Sequence, residues 1–313
     1  MHSNLFTKAI AQNDMVALQS VPKSDLHNHG MLGYRREVLE TQFGYPLAPA
    51  PVKFAQFSDF DTYLVTTFGP LLKRKDFLEL ALQSAFQQAK ADGVMVLQMS
   101  IDTRFHYFFS AKEIVETVGR LHKEHASDVK FVPQLGMDRT LNIAQLMRQA
   151  EELLDTGFFK SIDLYGEELH DRVDVFIPLY RRAKQMGLVL AAHVGEYGPA
   201  ESVRRVAEKL ELQQIQHGIS AAQSPEVMQW LANNNLVLNI CPSSNVALCR
   251  VESIAKHPIR ALFDAGVRVT VNTDDLFVFN QSVSNEFSNL YSAGVFTAEE
   301  LNRIRLYGLG AFE

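Results

Sequence analysis

The chain alternates between short apolar runs and longer amphipathic stretches. Eight apolar runs each give way to polar residues or glycine, which is where strands end and functional loops begin. The stretches between them mostly carry apolar residues at helical spacing, and several end in glycine just before the next run, as helices often do. The predicted strands are 23–29, 94–102, 130–138, 161–166, 188–196, 214–220, 236–245 and 268–275, and the predicted helices are 73–91, 111–125, 143–157, 173–187, 199–210, 224–234 and 256–266.

This alternation predicts an α/β fold. Eight strand and helix units in 313 residues are typical of a (β/α)8 TIM barrel, in which active-site groups come from the C-terminal ends of several strands. One helix over residues 4–19 is expected before the first strand, and helices over 284–293 and 297–307 are expected after the last. No linker rich in Pro, Gly or Ser interrupts the chain, so residues 1–313 are predicted to form a single domain.

Composition narrows the class of protein. Hydrophobic residues make up 47% of the chain and charged residues 21%, which suffices for one large core. The formal net charge is −6 with both signs scattered, so no basic stripe is available for nucleic acid. No apolar run reaches membrane-spanning length and no secretory leader is recognisable, so we expect no membrane partner and a cytoplasmic location. The two cysteines, Cys241 and Cys249, do not suggest a disulfide framework.

Histidines and acids lie at the ends of three predicted strands. His27 and His29 are two residues apart, and alternate residues of a strand face the same side, so both imidazoles can reach one metal ion. His193 lies near the end of the fifth predicted strand, and the pair Asp274 and Asp275 ends the eighth. Three imidazoles and a carboxylate are a common ligand set for a divalent transition metal, and neighbouring acids permit proton transfer around a metal-bound water. The sequence therefore predicts a metal-dependent hydrolase.

Six segments, taken in order, resemble the signature of the adenosine deaminase family within the amidohydrolase superfamily. They cover almost the whole chain and are far more specific together than any one alone. The segments are 22–29 (PKSDLHNH), 161–168 (SIDLYGEE), 193–196 (HVGE), 216–219 (QHGI), 241–245 (CPSSN) and 272–275 (NTDD). The aromatic-rich stretch that follows the first strand also resembles the helical lid of this family (Phe54, Phe57, Phe60, Tyr63 and Phe68).

The resemblance implies one Zn2+ ion per chain. Its ligands would be His27, His29, His193 and Asp274, with a water or hydroxide completing the shell. Neutral imidazoles and a single carboxylate leave the zinc with net positive charge, which lowers the pKa of the water towards ~7. The expected partner of the protein is a small-molecule purine, and the sequence makes no prediction about its oligomeric state.

The resemblance also implies roles for residues around the metal. Glu196 would protonate ring nitrogen N1 of the purine, and His217 would help to deprotonate the water and stabilise the developing charge. Asp275 would orient the water and face the purine. His29, Gly166 and Asp275 are expected to contact the substrate, the glycine through its backbone amide at N3. The net reaction is hydrolytic deamination at C6 with release of ammonia.

These roles make two demands on the structure. Adjacent residues of a regular strand point to opposite sides, so Asp274 and Asp275 can serve one site only if the strand end is distorted. Glu196 must hold a proton near neutral pH, so its pKa should be raised by an apolar pocket or by the bound base.

The sequence is compatible with several purine substrates. Adenosine is the expected substrate, with free adenine and an N6-modified AMP as alternatives. Residues 30–33 (GMLG) depart from the Leu-x-Gly of relatives that act on adenosine, and Ser100-Ile101-Asp102 stands where many relatives carry Glu-x-Arg. Arg35 and Arg36 would suit a phosphate, although a solvated helix start is the favoured interpretation.

Two other classes of function are considered. A two-metal hydrolase commonly bridges its ions with a carboxylated lysine on the fourth strand, and here Lys160 lies only at the start of that strand, which disfavours a bridge. A noncatalytic purine-binding barrel is disfavoured because Glu196, His217 and Asp275 are all present.

Overall fold

The computed structural model describes residues 2–44, 47–169 and 172–312. Eight parallel strands lie side by side in sequence order, which confirms the predicted (β/α)8 barrel. The strands are β1 (Lys23–His29), β2 (Val94–Asp102), β3 (Lys130–Asp138), β4 (Ser161–Tyr165), β5 (Val189–Val194), β6 (Gln214–His217), β7 (Val237–Ile240) and β8 (Arg268–Val271).

Helices lie between the strands and at both ends of the chain. They are α1 (His2–Ala11), α2 (Met15–Gln19), α3 (Arg36–Phe43), α4 (Phe57–Phe68), α5 (Lys75–Ala91), α6 (Ala111–His125), α7 (Ile143–Leu154), α8 (Ile177–Gln185), α9 (Ala200–Leu210), α10 (Pro225–Asn233), α11 (Pro242–Ala247), α12 (Ile259–Asp264), α13 (Leu276–Phe279), α14 (Val283–Ser292) and α15 (Ala298–Leu309). Short 3-10 helices cover Thr103–Tyr107, Val173–Phe176, Ile219–Gln223 and Ile254–Lys256. In the described ranges, no helix is both long enough and apolar enough to cross a membrane.

The sheet closes between β1 and the residues that follow β8. Asn28 and Asp274 form a parallel bridge. The Asp274 N–H donates to the His27 carbonyl at 2.8 Å, and the His29 N–H donates to the Asp274 carbonyl at 3.3 Å. Backbone hydrogen bonds of the barrel closure therefore fix three of the predicted metal ligands relative to one another.

The first three strands have the predicted bounds, whereas the later strands end earlier than predicted. The prediction of a strand over 236–245 was wrong at its end, because β7 stops at Ile240 and Pro242 begins the short helix α11. Proline has no N–H for a strand ladder but suits the first turn of a helix. The prediction for the last strand was wrong in the same way, since β8 stops at Val271 and residues 272–275, with the single bridge at Asp274, lead into α13.

The N-terminal segment is not one helix, as predicted, but two. Asn13 adopts a left-handed conformation with φ of +53° between α1 and α2. Asp14 then caps α2 by accepting a hydrogen bond from the Ala17 N–H at 3.0 Å. Asparagine tolerates positive φ better than most residues and aspartate is a favoured N-cap, which explains the break.

Aromatic side chains attach the predicted helical lid to the barrel. Phe54, Phe60 and Phe68 are buried in a cluster with Phe277, which follows β8. The ring centroids of Phe68 and Phe277 are 4.8 Å apart, and those of Phe54 and Phe60 are 5.4 Å apart. Most of these aromatics therefore pack the lid against the barrel. The single-domain prediction over 1–313 stays a prediction.

Candidate active site

The predicted metal ligands converge at the C-terminal end of the barrel. The ring centroids of His27 and His193 are 4.7 Å apart, and those of His29 and His193 are 5.4 Å apart. Asp274 Oδ1 lies 3.4 Å from His27 Nε2 and 3.5 Å from His29 Nε2. Ligand atoms of His27, His29 and Asp274 lie within 4.8 Å of one another, and so do those of His27, His193 and His217. All four predicted ligands thus meet, and His217 lies beside them.

Neighbouring groups orient two of these imidazoles. His27 Nδ1 lies 3.2 Å from the Asn239 carbonyl, which can only accept a hydrogen bond, so Nδ1 carries the proton. The lone pair of Nε2 is then free to bind a metal ion. His193 Nδ1 lies 3.2 Å from the buried carboxylate of Asp163 in the same way. Such bonds to the distal nitrogen are usual for metal-binding histidines. Among the described residues, buried His27 Nε2 has no hydrogen-bond partner, so this donor set fits a metal ion.

The distortion predicted for the two aspartates is present. Asp274 adopts φ of +60°, a left-handed conformation, and Asp275 returns to φ of −100°. Both residues consequently line the same cavity. Ser244 Oγ donates to Asp274 Oδ2 at 2.6 Å, which orients that carboxylate. Asp275 Oδ1 is buried with no partner in the described part of the chain, and burial beside the charge of Asp274 raises the pKa of Asp275 well above its ordinary value.

Glu196 enters the cavity from the loop after β5. Gly195 adopts φ of +78°, and a Cβ there would lie 2.4 Å from Val203 Cγ2, so the turn that brings Glu196 inward needs glycine. Burial, reinforced by the charges of Asp274 and Glu168, raises the pKa of Glu196 to about 8. This direction agrees with the requirement that Glu196 hold a proton at neutral pH.

A chain of hydrogen bonds reaches His217 and Glu196 from a residue that showed no signal in the sequence, His257. The Ile259 N–H donates to His257 Nδ1 at 3.1 Å, so the other ring nitrogen of His257 carries the hydrogen. His257 Nε2 then donates to Asn245 Oδ1 at 3.2 Å. The amide nitrogen of Asn245 in turn donates to Glu196 Oε1 at 3.0 Å and to His217 Nδ1 at 3.2 Å.

This chain fixes the tautomer of His217. Because His217 Nδ1 accepts a hydrogen bond, its Nε2 carries the hydrogen and lies 3.8 Å from Asp274 Oδ2. Burial holds the pKa of His217 well below its ordinary value, and burial lowers the pKa of His257 to about 3, so both rings are neutral at pH 7. His217 therefore presents an N–H donor, and not a base, to the metal side of the cavity. This tautomer does not support the predicted help of His217 in deprotonating the water, whereas it agrees with the predicted stabilisation of developing charge.

Glu168 holds the loop that carries Glu196. Its carboxylate accepts the N–H groups of four successive residues, 195 to 198, at 2.5, 3.0, 2.8 and 3.0 Å. Glu168 follows Gly166 in the loop after β4. It therefore connects this loop to the loop after β5, and both loops carry residues predicted to contact the purine. Gly166 adopts φ of +91°, and a Cβ there would lie 2.4 Å from Asp138 Oδ1, so no side chain fits. In the sequence, Glu168 is marked only by its place in the segment 161–168, which resembles the family signature, and no role is predicted for it.

A cavity of about 910 Å3, measured with its open mouth, lies over these groups. Lid residues on α4 cover part of it, and Phe57 packs edge-on against Tyr197, the residue after Glu196, with centroids 5.6 Å apart. Its floor and walls comprise His29, Gly30, Met31, Leu32, Ser100, Asp102, Arg104, Asp138, Tyr165, Gly166, Glu168, His193, Glu196, His217, Leu248, Asp274 and Asp275. The substrate residues predicted from the sequence are all in this lining.

The basic pair Arg35 and Arg36 does not line the cavity. Arg35 Nη1 donates to Asn280 Oδ1 at 2.5 Å. Arg36 Nη2 donates to Glu40 Oε1 at 3.0 Å and to the Leu47 carbonyl at 2.9 Å. The pair begins α3, as the favoured interpretation predicts, but both guanidinium groups are bonded to the protein and only 16% of the Arg36 side chain is exposed, so the pair is not solvated as predicted. A substrate phosphate at Arg35 and Arg36 is not supported.

Comparison with known proteins identifies the family. The family model described as adenosine deaminase matches residues 46–311. The chain belongs to the adenosine deaminase family. A relative from Treponema pallidum named putative adenosine/adenine deaminase is 33% identical over 293 residues, which are 92% of this chain and 98% of the relative. As a member of this family, the protein is a hydrolytic purine deaminase, and the alternative of a noncatalytic barrel is wrong.

Two solved structures share the fold of this deaminase. An amidohydrolase from Burkholderia ambifaria with bound Zn aligns with a TM-score of 0.79 at 19% identity, over 93% of this chain and 85% of that one. The N6-mAMP deaminase of Arabidopsis aligns with a TM-score of 0.77 at 20% identity, over 93% and 94% of the two chains. The predicted barrel fold is thus confirmed.

Proposed function

We propose that this deaminase hydrolyses an adenine-type purine, with adenosine as the expected substrate, and that it uses one Zn2+ ion. The ligands are His27, His29, His193 and Asp274, a set of three imidazoles and one carboxylate that suits Zn2+. When bound, the ion lowers the pKa of a water molecule and so supplies a nucleophile at neutral pH. The observation that carries this proposal is that this donor set converges beside the cavity that Glu196 lines.

Glu196 supplies the proton that makes the purine ring electrophilic. A pKa of about 8 keeps its carboxyl group protonated at pH 7, and the Asn245 amide holds Oε1 in place. Transfer of this proton to N1 lets C6 accept the oxygen of water without negative charge building up on the ring. One proton of the water passes to the amino group, which leaves as ammonia. The second proton, on the C6 hydroxyl, returns to Glu196, and the product carries a carbonyl group at C6.

His217 and Asp275 complete the reaction centre. The Nε2–H of His217 is a neutral donor that stabilises negative charge where it develops on oxygen. The buried Oδ1 of Asp275 faces the cavity and orients the attacking water and the purine. Gly166 lines the cavity, and its backbone amide meets N3, because a residue without a side chain lets the ring approach the backbone. His29 contacts the substrate from the floor.

The test measures metal content and ammonia release on one preparation. We expect about one zinc per chain, and ammonia from at least one of adenosine, adenine, AMP and N6-methyl-AMP. Chelation should abolish the activity and added Zn2+ should restore it. Glu196→Gln should keep the zinc and the melting temperature but lower kcat by roughly 10²- to 10⁴-fold, the usual contribution of a general acid. The matched control is Glu201→Gln, which removes an exposed carboxylate in the first turn of α9. Retained activity in Glu196→Gln would contradict the assigned role.

A further inference from the structure

The ends of β2, β3 and β4 form one polar wall of the cavity. This wall consists of Asp102, Arg104, Asp138 and Tyr165, all of which line the cavity. The Arg104 guanidinium forms an ion pair with Asp138, and the Tyr165 hydroxyl donates to Asp102. The backbone N–H of Arg104 also donates to Asp102 Oδ1 at 2.7 Å. Aspartate oxygens, rather than cationic groups, therefore dominate the chemistry of the polar wall.

The cavity as a whole has an excess of acids. Its lining contains seven acidic residues, and Arg104 is its one Lys or Arg among the described residues. Three of the acids, Glu196, Asp274 and Asp275, belong to the reaction centre. Of the other four, Glu168 is compensated by the four N–H groups that it accepts. Asp61, Asp102 and Asp138 remain, so three acids face a single arginine outside the reaction centre.

Arg104 is not placed to serve a phosphate group. Its guanidinium is already paired with Asp138, and only 24% of its side chain is exposed. Asp61, which lies on the lid helix α4, brings a further carboxylate to the mouth of the cavity. A phosphate is normally held by several Arg, Lys or N–H donors. Here a phosphate dianion would instead meet carboxylates, and Arg35 and Arg36 lie outside the lining.

We propose that the cavity selects purines whose remaining substituent is uncharged or positively charged and rejects 5′-phosphorylated nucleotides. This inference rests on the proposed deaminase function. The carboxylates of the polar wall accept hydrogen bonds, so they match sugar hydroxyls, the N9–H of a free base or an ammonium group. The preferred substrate class is consequently the nucleoside or the free base, and this deaminase differs in that respect from the Arabidopsis N6-mAMP deaminase that shares its fold.

The test varies only the charge at the 5′ position. Adenosine, AMP and 5′-amino-5′-deoxyadenosine are compared by ammonia release at pH 7 and low salt. We expect kcat/KM for adenosine to exceed that for AMP by at least about 100-fold, because like charges brought together at a binding site are strongly unfavourable. The amino compound should equal or exceed adenosine. Raising the salt concentration should narrow the difference between adenosine and AMP.

Two substitutions locate the effect in the polar wall. Asp102→Asn and Asp138→Asn each remove one negative charge at nearly constant volume. Each should lower the ratio of kcat/KM for adenosine to kcat/KM for AMP by about tenfold. Asp128→Asn is the matched control, because this exposed residue pairs with Lys90 on the outer surface. Its ratio should equal that of the unmodified protein. Ratios unchanged in both wall variants would overturn the proposal.

The outcomes separate this inference from the proposed function. Turnover of AMP as efficient as that of adenosine overturns the inference while it supports the deaminase function. If free adenine alone releases ammonia, the inhibition constants of adenosine, AMP and the 5′-amino compound decide, and AMP binding as tightly as adenosine overturns the inference. Ammonia from none of the purines refutes the proposed function itself. In that case calorimetry of the same three compounds gives the ranking that supports or overturns the selection against phosphate.

Discussion

Replacement of His257 by phenylalanine tests whether the hydrogen-bond chain controls the reaction centre. His257→Phe keeps the ring volume at a buried position but removes the donor to Asn245 Oδ1 and the acceptor for the Ile259 N–H. The amide of Asn245 is then free to rotate and to turn its oxygen towards Glu196 and His217. Both groups would lose the donor that now holds them at 3.0 and 3.2 Å.

The expected magnitudes follow from these contacts. A buried group left without a partner costs about 1–3 kcal/mol, and rotation of the amide relieves part of this cost. A net loss of about 2 kcal/mol lowers the melting temperature of a chain of this size by roughly 3 °C. The two bonds lost at Glu196 and His217 are each worth about 0.5–1.5 kcal/mol, which corresponds to a fall in kcat of roughly 5- to 150-fold.

The assay separates a positioning role from a structural one. It measures kcat, KM, zinc content and melting temperature, and it reads the tautomer of His217 by nitrogen-15 NMR. His257→Gln keeps a donor near Nε2 and should recover most of the activity. The matched control is His122→Phe, which removes a hydrogen bond to the Val129 carbonyl away from the cavity and should lower stability alone. A less stable His257→Phe protein whose kcat stays within about threefold of the unmodified protein would refute the reasoning.

Two further predictions concern the loop anchor and a buried lysine. Glu168→Gln should lower kcat by about tenfold or more with zinc retained, because the amide nitrogen of glutamine is a donor and would face an N–H of the 195–198 loop in place of a charge-assisted bond. The kcat of Glu168→Asp should lie between those of Glu168→Gln and the unmodified protein. Unchanged kinetics in Glu168→Gln would contradict the anchoring role. Burial, partly opposed by the charge of Asp92, lowers the pKa of Lys23 from 10.5 to about 8. The folded state therefore disfavours the charged form, so stability should rise from pH 8 to pH 10.5 and Lys23→Met should remove that rise in melting curves. A rise that persists in the variant would exclude Lys23 as its cause.

The barrel and the predicted ligands were accessible from sequence for a physical reason. Buried parallel strands are continuous apolar runs, and each run here ends where the chain turns polar at one rim. His27, His29 and His193 could therefore be placed on that rim from spacing alone, and the ordered segments added Asp274. The residue at which each later strand ends could not be predicted from the sequence. It depends on local backbone conformations such as φ of +60° at Asp274 and +65° at His217, which tertiary contacts impose on residues that seldom adopt them.

Residues that act through other residues were missed because no local pattern marks them. His257 reaches the site through Asn245, twelve positions earlier, and the anchor at Glu168 depends on N–H groups 27 to 30 positions later. Neither relation has a periodicity that a single sequence displays. Both become evident only when the barrel brings the strand ends together, which is also why they concern loops rather than strands.

The second strand shows how an apparent departure from a family pattern can mislead. By position, Ser100-Ile101-Asp102 stands in place of Glu-x-Arg, yet Asp102 and Arg104 themselves supply an acid and an arginine two residues apart. Because the chain enters a 3-10 helix at Thr103, both residues reach the cavity. The pairing of Arg104 with Asp138 then cancels its positive charge, so the same arginine that could have suggested a phosphate site instead belongs to a wall that disfavours one.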